Sequence, residues 1–286
     1  MTWTDRLDAA EAAAVRDLAR RSTDKDGVAP LGEELLLGLE GRGHRHLPHP
    51  ADPPFVGYAG VAPDGSAELT VDPAHRGQGL GTELAESVLA EKPDARLWAH
   101  GDLPAAQAVA GRIGLSRVRE LLVLRRPLAG VDPDPEAPEG YRLRTFVPGQ
   151  DELALLALNA AAFVDHPEQG RLDEAGLARR TSQPWFDAEG LFLVVDAHDE
   201  PAAFHWTKVE DASTGVGEVY VVGVSPEHQG RGLGAYATAV GLAHLARLGL
   251  ETVELYVEGD NDPALATYRR AGFERHAVHS MYARTA

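Results

Sequence analysis

The chain carries the same glycine-rich segment twice, and this repeat restricts the fold more than any other feature. Residues 71–81 and 224–234 are identical at seven of eleven positions, with an offset of 153 between them (224 − 71). A second match follows in the same order, since the dipeptide Gly-Asp at 101–102 and at 259–260 lies in each case thirteen residues before a later glycine. Ordered matches at nearly constant offsets are typical of a duplicated domain. At 286 residues, the chain is long enough for two domains that each bury a core.

The interval between the copies indicates where the first one ends. Residues 129–140 are rich in proline and acid and show no apolar periodicity, which is typical of a linker. We therefore predict an N-terminal domain over residues 1–128, a linker over 129–139 and a C-terminal domain over 140–286. The expected fold class is α/β, with a mixed central sheet flanked by helices in each domain.

Residue patterns predict the individual elements of both copies. Predicted helices cover residues 8–21, 32–39, 82–89, 151–163, 172–180, 235–248 and 263–271. Predicted strands cover residues 55–61, 67–71, 141–146, 191–195, 202–209, 219–224 and 252–257, with a last strand running to 282. Residues 43–54 are predicted to form a loop.

Composition excludes several classes of function. The net charge of −17 disfavours a nucleic-acid partner, because such binding depends on Lys and Arg neutralising phosphates. The chain has no cysteine, which excludes disulfides, thiolate nucleophiles and Cys-based metal sites. No stretch reaches the roughly 18 apolar residues of a membrane span, and residues 1–16 lack a signal-peptide pattern. We expect a cytoplasmic monomer.

Four histidines raise the question of a metal site. His44, His46 and His49 lie in the proline-rich segment, and His75 follows in the first glycine-rich segment. They have no regular spacing and no clustered carboxylate, so solvated loop histidines are the favoured interpretation. We predict no metal.

The second glycine-rich segment predicts a phosphate-binding turn. The apolar run from Val219 to Val224 is typical of a buried strand, Ser225-Pro226 ends it, and an Ala- and Leu-rich helical pattern follows the glycines. This order places backbone N–H groups at a helix N-terminus, where they can hold phosphate oxygens. The glycine spacing matches neither the Rossmann motif nor the P-loop. Residues 229–234 instead resemble the Gln-x-x-Gly-x-Gly motif of the GNAT acetyltransferases, which bind acetyl-CoA; an ordinary glycine-rich turn is the alternative.

Acetyl transfer to an amine requires proton removal from the amine, polarisation of the acetyl carbonyl and protonation of the leaving thiolate. Glu218, six residues before Val224, is the candidate general base, and an exposed strand acid is the alternative. The segment from Asn261 to Tyr268 resembles the Asn-x-x-Ala-x-x-x-Tyr element of the GNAT family, which implies that Asn261 contacts the cofactor. The same resemblance implies that Tyr268 protonates the sulfur; a buried core tyrosine is the alternative. Pro263 is expected in the first turn of that helix.

The first copy lacks these groups. The same offsets place Gly65 at the position of Glu218, Leu103 at that of Asn261 and Ala110 at that of Tyr268. The phosphate-binding turn remains, so this copy is expected to bind acetyl-CoA or only its pyrophosphate, without turnover.

Nearly the whole chain resembles the mycothiol synthase family, tandem-GNAT enzymes of actinobacteria. The matching stretches include residues 166–170, 204–208, 217–224 and 255–258. This resemblance implies transfer of acetyl from acetyl-CoA to the cysteinyl amine of Cys-GlcN-Ins, giving mycothiol, by direct transfer in a ternary complex.

The resemblance also implies a set of site residues. The implied acceptor residues are Glu33, Glu168, Lys208, Glu218 and Tyr256, with Glu34 as an alternative to Glu33. The implied acetyl-CoA residues are Val222, Gly223, Val224, Gln229, Gly230, Arg231, Gly232, Leu233, Gly234, Ala235, Asn261, Asp262, Pro263, Ala264, Leu265 and Ala266. The corresponding residues of the first copy are Leu69, Thr70, Val71, Arg76, Gly77, Gln78, Gly79, Leu80 and Gly81.

Two other functions remain open from the residues alone. One is a GNAT enzyme that acetylates another small amine or a protein N-terminus. The other is an acetyl-CoA sensor without turnover, which the presence of Glu218 and Tyr268 disfavours.

Overall fold

The computed structural model describes residues 1–164 and 169–285. Its chain divides into two compact units. The first contains residues 1–122, 258–260 and 277–286, and the second contains residues 123–257 and 261–276. The described parts of both are mixed α/β structures, which confirms the predicted fold class. Within those parts, no helix has the length and apolar character needed to cross a membrane.

The first unit packs helices on both faces of a mixed sheet. Its helices are α1 (Ala9–Asp26), α2 (Glu33–Gly38), α3 (Leu80–Glu91) and α4 (Pro104–Arg112). Its strands β1 (Arg45–His49), β2 (Gly57–Val61), β3 (Ser66–Val71) and β4 (Arg96–Ala99) lie in sheet order 1-2-3-4. The β3 and β4 strands are parallel, and the other neighbours in this series are antiparallel. One apolar cluster joins α1 and α2 to Tyr58 of β2, and another joins α3 to Leu47, Ala59 and Ala67 of the strands.

The second unit repeats this plan. Its helices are α5 (Glu152–Ala162), α6 (Glu174–Thr181), α7 (Leu233–Arg247) and α8 (Asp262–Arg270). Its strands are β6 (Arg142–Thr145), β7 (Leu191–Val195), β8 (Pro201–Lys208), β9 (Val216–Val224) and β10 (Thr252–Glu258), in sheet order 6-7-8-9-10. The β9 and β10 strands are parallel, and the other neighbours in this series are antiparallel.

Two long strands contribute residues to both units. Strand β5 (Ser116–Pro127) belongs to the first unit up to Leu122 and to the second from Val123 onward. Strand β11 (Glu274–Ala283) belongs to the first unit from Ala277 onward, where Ser280, Met281 and Tyr282 pair with β4. Each compact unit is therefore built from more than one stretch of the chain.

Most predicted elements are present, with ends that differ by a few residues. The structure adds β1, β4, β5 and α4, which the residue patterns did not predict. Strand β4 has only four residues, too short for a clear alternation of apolar and polar positions. Strand β5 contains four arginines among its twelve residues, and its apolar run covers only residues 121–124, which is a weak signal for a strand of this length.

The interpretation of His44 and His46 as solvated loop residues is wrong. His46 lies on β1 and is completely buried, and His44 just before it is 5% exposed. His46 Nδ1 lies 2.8 Å from the hydroxyl of Tyr58, and burial lowers the pKa of His46 to about 4. Residues from distant parts of the chain bury this strand, and the proline-rich sequence of residues 43–54 did not predict that burial.

Candidate active site

The centre of the second unit is the point at which two parallel strands part. Strands β9 and β10 pair from Val216↔Thr252 to Val219↔Leu255, although β9 continues to Val224 and β10 to Glu258. A β-bulge lies at the same level, because Val219 pairs with Thr207 while Val221 pairs with Trp206. Tyr220 is the extra residue, and such a bulge disrupts the ladder locally. The gap between the strands and the bulge leave backbone groups of β9 available to a ligand.

Charged residues form a row across the sheet just before this point. Glu218 on β9 pairs directly with Lys208 on β8 and with Glu254 on β10. Residues in direct register on neighbouring strands project from the same face, so the three side chains lie side by side. Arg125 on β5 extends the row, since its Nε and Nη2 lie 2.7 and 2.6 Å from Glu254 Oε2. We call these four residues, Lys208, Glu218, Glu254 and Arg125, the charge row.

Aromatic residues hold the Lys208 end of the charge row. The Lys208 side chain is only 8% exposed, and its Nζ lies 5.1 Å from the Trp185 ring and 5.5 Å from the Tyr220 ring. Cation–π contacts strengthen when the cation is withdrawn from water, so these rings stabilise the buried ammonium. Arg180 Nε donates a 2.9 Å hydrogen bond to the Tyr220 hydroxyl, which fixes that ring.

Tyr256 lies beyond Glu254 on the same face of β10. It exposes 43% of its surface, and its hydroxyl is 3.5 Å from Glu254 Oε1. Burial of the rest of the side chain, with the negative charges of Glu218 and Glu254, raises the pKa of Tyr256. The hydroxyl therefore stays protonated and can donate a hydrogen bond to a bound ligand.

Tyr268 lies on α8, where its ring packs edge-to-face on Phe273 with centroids 5.7 Å apart. Burial raises the pKa of Tyr268 to about 12, so the hydroxyl keeps its proton at neutral pH. Asn261 is the N-cap of α8, and its side chain accepts a hydrogen bond from the Ala264 N–H. Pro263 lies in the first turn, which confirms the placement expected from the sequence.

The glycine-rich segment forms an uncapped helix N-terminus. Gly230 and Gly232 adopt φ values of +75° and +81°, which side chains other than glycine rarely tolerate. A Cβ added at either position would meet no heavy atom within 4 Å, so the space beside both glycines is open. No side chain caps α7, and its first turn contains no acidic residue. Its free N–H groups therefore suit an anion such as a pyrophosphate.

The first unit contains the same turn beside a cavity. Gly77 and Gly79 have φ values of +77° and +93°, and α3 begins at the next residue without a side-chain cap. The pairing of β3 with β4 covers only Ser66↔Arg96 and Ala67↔Leu97, so these strands also part. A cavity of about 390 Å³ opens there. All first-copy residues predicted to contact the cofactor line it except Gln78.

In the first unit, the positions that correspond to Glu218, Asn261 and Tyr268 hold side chains that cannot exchange a proton. Gly65 lies in the turn before β3, Leu103 precedes α4, and the position of Tyr268 is occupied by the buried Ala110. Glu83 adds a negative charge in the first turn of α3. Glu68 on β3 accepts a 2.6 Å hydrogen bond from the Gly32 N–H, so this carboxylate already binds a group of the first unit.

The structure brings together some of the predicted acceptor residues. Lys208, Glu218 and Tyr256 meet on one face of the second unit. Glu168 lies outside the described residues, and Glu33 and Glu34 form the first turn of α2 in the first unit. In the first unit, the guanidinium of Arg76 binds Asp26 through two contacts of 2.7 and 2.8 Å, so its charge is already paired within the protein.

Sequence reasoning missed Glu254, Arg125, Trp185, Tyr220 and Arg180. Tyr220 could have been predicted from the alternation of side chains along a strand, because it follows Glu218 by two residues and such residues lie on the same face. The other four depend on contacts between distant parts of the chain. Across residues 1–164 and 169–285, no three His, Asp or Glu side chains cluster as ligands for a metal ion.

The chain is similar to known acetyltransferases over most of its length. The acetyltransferase (GNAT) family matches the chain twice, over residues 13–114 and 155–273. The mycothiol acetyltransferase of Rhodococcus jostii (strain RHA1) is 49% identical over 298 residues, covering 99% of this chain and 98% of that protein. That of Tsukamurella paurometabola is 49% identical over 287 residues, covering 96% of each. The chain belongs to the mycothiol acetyltransferase family.

Membership of the mycothiol acetyltransferases confirms the family and the enzyme class predicted from the sequence. The chain is an acetyl-CoA-dependent N-acetyltransferase with two GNAT domains. A tandem GNAT protein from the clavulanic acid biosynthesis pathway has the same fold, with a TM-score of 0.71 over 98% of this chain and 97% of that one. At 19% identity, that similarity concerns the fold alone.

Proposed function

We propose that the chain transfers the acetyl group of acetyl-CoA to the cysteinyl amine of Cys-GlcN-Ins and so forms mycothiol. The observation that carries this proposal is the 49% identity to mycothiol acetyltransferases along almost the whole chain. The second unit also supports it, because Glu218, the buried Lys208 and Tyr256 lie on one face of the sheet near the point where β9 and β10 part.

In the proposed mechanism, Glu218 is the general base. The acceptor binds as an ammonium ion, and the Glu218 carboxylate takes up its proton directly or through one water molecule. The free amine then attacks the thioester carbonyl, whose oxygen is stabilised by backbone N–H groups near the bulge of β9. The attack forms the carbon–nitrogen bond. Collapse of the tetrahedral intermediate re-forms the carbonyl and breaks the carbon–sulfur bond, and the nitrogen loses its remaining excess proton to solvent water to give the neutral amide.

Tyr268 is the proposed general acid for the leaving thiolate. A group that donates a proton must hold it at the working pH, and burial keeps the pKa of Tyr268 at about 12. The pyrophosphate of acetyl-CoA is assigned to the turn from Gln229 to Gly234, where α7 offers uncapped N–H groups.

The acceptor combines a cation with two polyol rings, which charged and hydroxyl groups recognise well. Lys208 and Tyr256 supply such groups beside Glu218, and Glu33 and Glu168 remain assigned by family resemblance alone. We further propose that the second unit carries all turnover. The first unit is proposed to hold acetyl-CoA or its pyrophosphate in its cavity, without a base or an acid.

A panel of acceptors tests this function. Purified protein is incubated with acetyl-CoA and equal concentrations of Cys-GlcN-Ins, free cysteine or a peptide with a free N-terminus. Acetylated products are measured by chromatography and mass, because these acceptors include thiols that would obscure the release of coenzyme A. Free cysteine is expected to react at least 100-fold more slowly, since its binding leaves buried polar groups unpaired.

Equal acetylation of free cysteine or of the peptide would refute the proposed acceptor. Acetylation of none of the panel, with acetyl-CoA still bound, would favour a sensor instead. A matched pair of variants separates acceptor recognition from chemistry, since Lys208→Met is expected chiefly to raise KM and Tyr268→Phe chiefly to lower kcat.

A further inference from the structure

The proposed mechanism uses Lys208 and Glu218 of the charge row and leaves Glu254 and Arg125 without a role. Glu254 lies on β10 directly opposite Glu218, and neighbouring strands are about 4.8 Å apart. Like charges directly opposite each other on neighbouring strands destabilise one another, and two carboxylates that share a site can also share one proton. A general base that shares a proton with its neighbour is largely inactive at neutral pH.

Arg125 offsets the repulsion between the carboxylates of Glu218 and Glu254. Its guanidinium places both Nε and Nη2 on one oxygen of Glu254, at 2.7 and 2.6 Å. Glu254 is 16% exposed, so water screens this ion pair only partly. The cation compensates the charge of Glu254, and Lys208 lies on the other side of Glu218. Negative and positive charges are therefore balanced along the charge row.

Other groups face Glu218 and its neighbours from several elements. Among the residues that the structure describes, they are Lys208 and Glu210 at the end of β8, Tyr220 on β9, Glu254 and Tyr256 on β10, Arg125 on β5, and Arg180 on α6. Only Glu254 is a carboxylate in direct register with Glu218. Arg125 is the cation bound to it.

We propose that Arg125 and Glu254 are positioning residues that set the pH at which Glu218 takes up a proton. Glu254 makes Glu218 more basic, and Arg125 limits this effect so that Glu218 remains ionised in the resting enzyme. The proposal rests on the proposed role of Glu218 as the base. It adds a pair of residues that act through that base without contacting the acceptor.

Opposite shifts in two variants distinguish this role from a purely structural one. Glu254→Gln removes the negative charge and leaves the Arg125 cation, so Glu218 is expected to titrate about one pH unit lower. Arg125→Gln leaves Glu254 uncompensated, so Glu218 is expected to titrate about one pH unit higher. Arg125→Lys keeps the charge and should restore titration near the wild-type pH.

The titration is followed by carbon NMR on full-length protein with carboxyl-labelled glutamate, in the absence of acceptor. The Glu218 signal is assigned by its loss in Glu218→Gln. Arg144→Gln is the matched control, because Arg144 binds Asp151 in the same unit through contacts of 2.6 and 2.9 Å, away from the charge row. This control is expected to leave the Glu218 titration unchanged.

The acidic limb of the kcat/KM profile is then measured in the same variants and should move with the NMR midpoint. Shifts of the same sign in Glu254→Gln and Arg125→Gln, or no shift in either, would overturn the proposal. If Arg125→Gln does not fold, Glu254→Gln and Arg125→Lys still decide it, since the first must lower the midpoint and the second must leave it in place. Because the NMR titration needs no turnover, it separates this inference from the proposed reaction.

Discussion

Replacing Gly230 by alanine tests the proposed phosphate-binding turn, and Gly77→Ala in the first copy is its matched control. The two glycines have φ values of +75° and +77°, and a Cβ at either position would meet no heavy atom within 4 Å. Both substitutions therefore cost the same backbone conformational energy. A left-handed conformation costs an L-residue about 1–2 kcal/mol, with no added clash.

The equal penalty predicts equal losses of stability. A loss of about 1 kcal/mol lowers Tm by roughly 2–4 °C in a protein of 150–250 residues, so each variant should melt a few degrees below wild type. The effect on catalysis should differ. A methyl group at Gly230 is expected to enter the space proposed for the pyrophosphate and so to keep it from a backbone N–H.

Loss of one hydrogen bond to a charged group costs about 1.5–3 kcal/mol. KM for acetyl-CoA should therefore rise about 10- to 100-fold in Gly230→Ala, while in Gly77→Ala it stays within about twofold. Steady-state kinetics at saturating acceptor, with thermal unfolding of both variants, measures these quantities. An equal rise of KM in both variants would refute the assignment of turnover to the second unit, and an unchanged KM in Gly230→Ala would refute the binding turn itself.

Four further changes test other parts of the second unit, three of them in the proposed site. Glu218→Gln should lower kcat about 10²–10⁴-fold and remove the acidic limb of the pH–rate profile, and a normal rate with an unchanged limb would exclude it as the base. Tyr268→Phe should lower kcat at least about tenfold. Since the pKa of Tyr268 is raised to about 12, wild-type activity should not fall between pH 8 and 10 through loss of its proton. Lys208→Met should raise KM for the acceptor with little change in kcat, whereas a selective fall in kcat would assign Lys208 to the chemical step. The last change concerns stability: burial lowers the pKa of His205 to about 4, so unfolded chains take up its proton first as the pH falls below about 6.5. The stability that neutral His205 contributes is therefore complete above pH 6.5 and is lost towards pH 4, at about 1.4 kcal/mol per pH unit. Denaturant unfolding at pH 7 and pH 5 should show that the free energy of unfolding depends less on pH in His205→Gln than in wild type. An unchanged pH dependence in this variant would contradict the assignment to His205.

The sequence by itself determined the duplicated plan and the two glycine turns. Each turn is a local feature, because a positive φ requires glycine at the same two places in both copies. Strand β9 and helix α7 also follow from local patterns, since β-branched and helix-forming residues adjoin the turn. The candidate base Glu218 could be found for the same reason, as it lies six residues before the end of the strand that leads into the turn, whereas the candidate acid Tyr268 came from the resemblance of residues 261–268 to a GNAT element.

Only the tertiary structure decided which groups surround the base. Glu254 is 36 positions away from Glu218 (254 − 218), and Arg125 is 93 positions away (218 − 125). They meet because parallel pairing of β9 with β10 sets one register out of several, and β5 then adds its arginine from the next strand. Strand register depends on which faces become buried when distant segments pack together, and no local pattern contains that information. Packing of distant segments likewise buried His44 and His46, which lie in a segment of glycine, arginine, histidine and proline residues with a single leucine, Leu47.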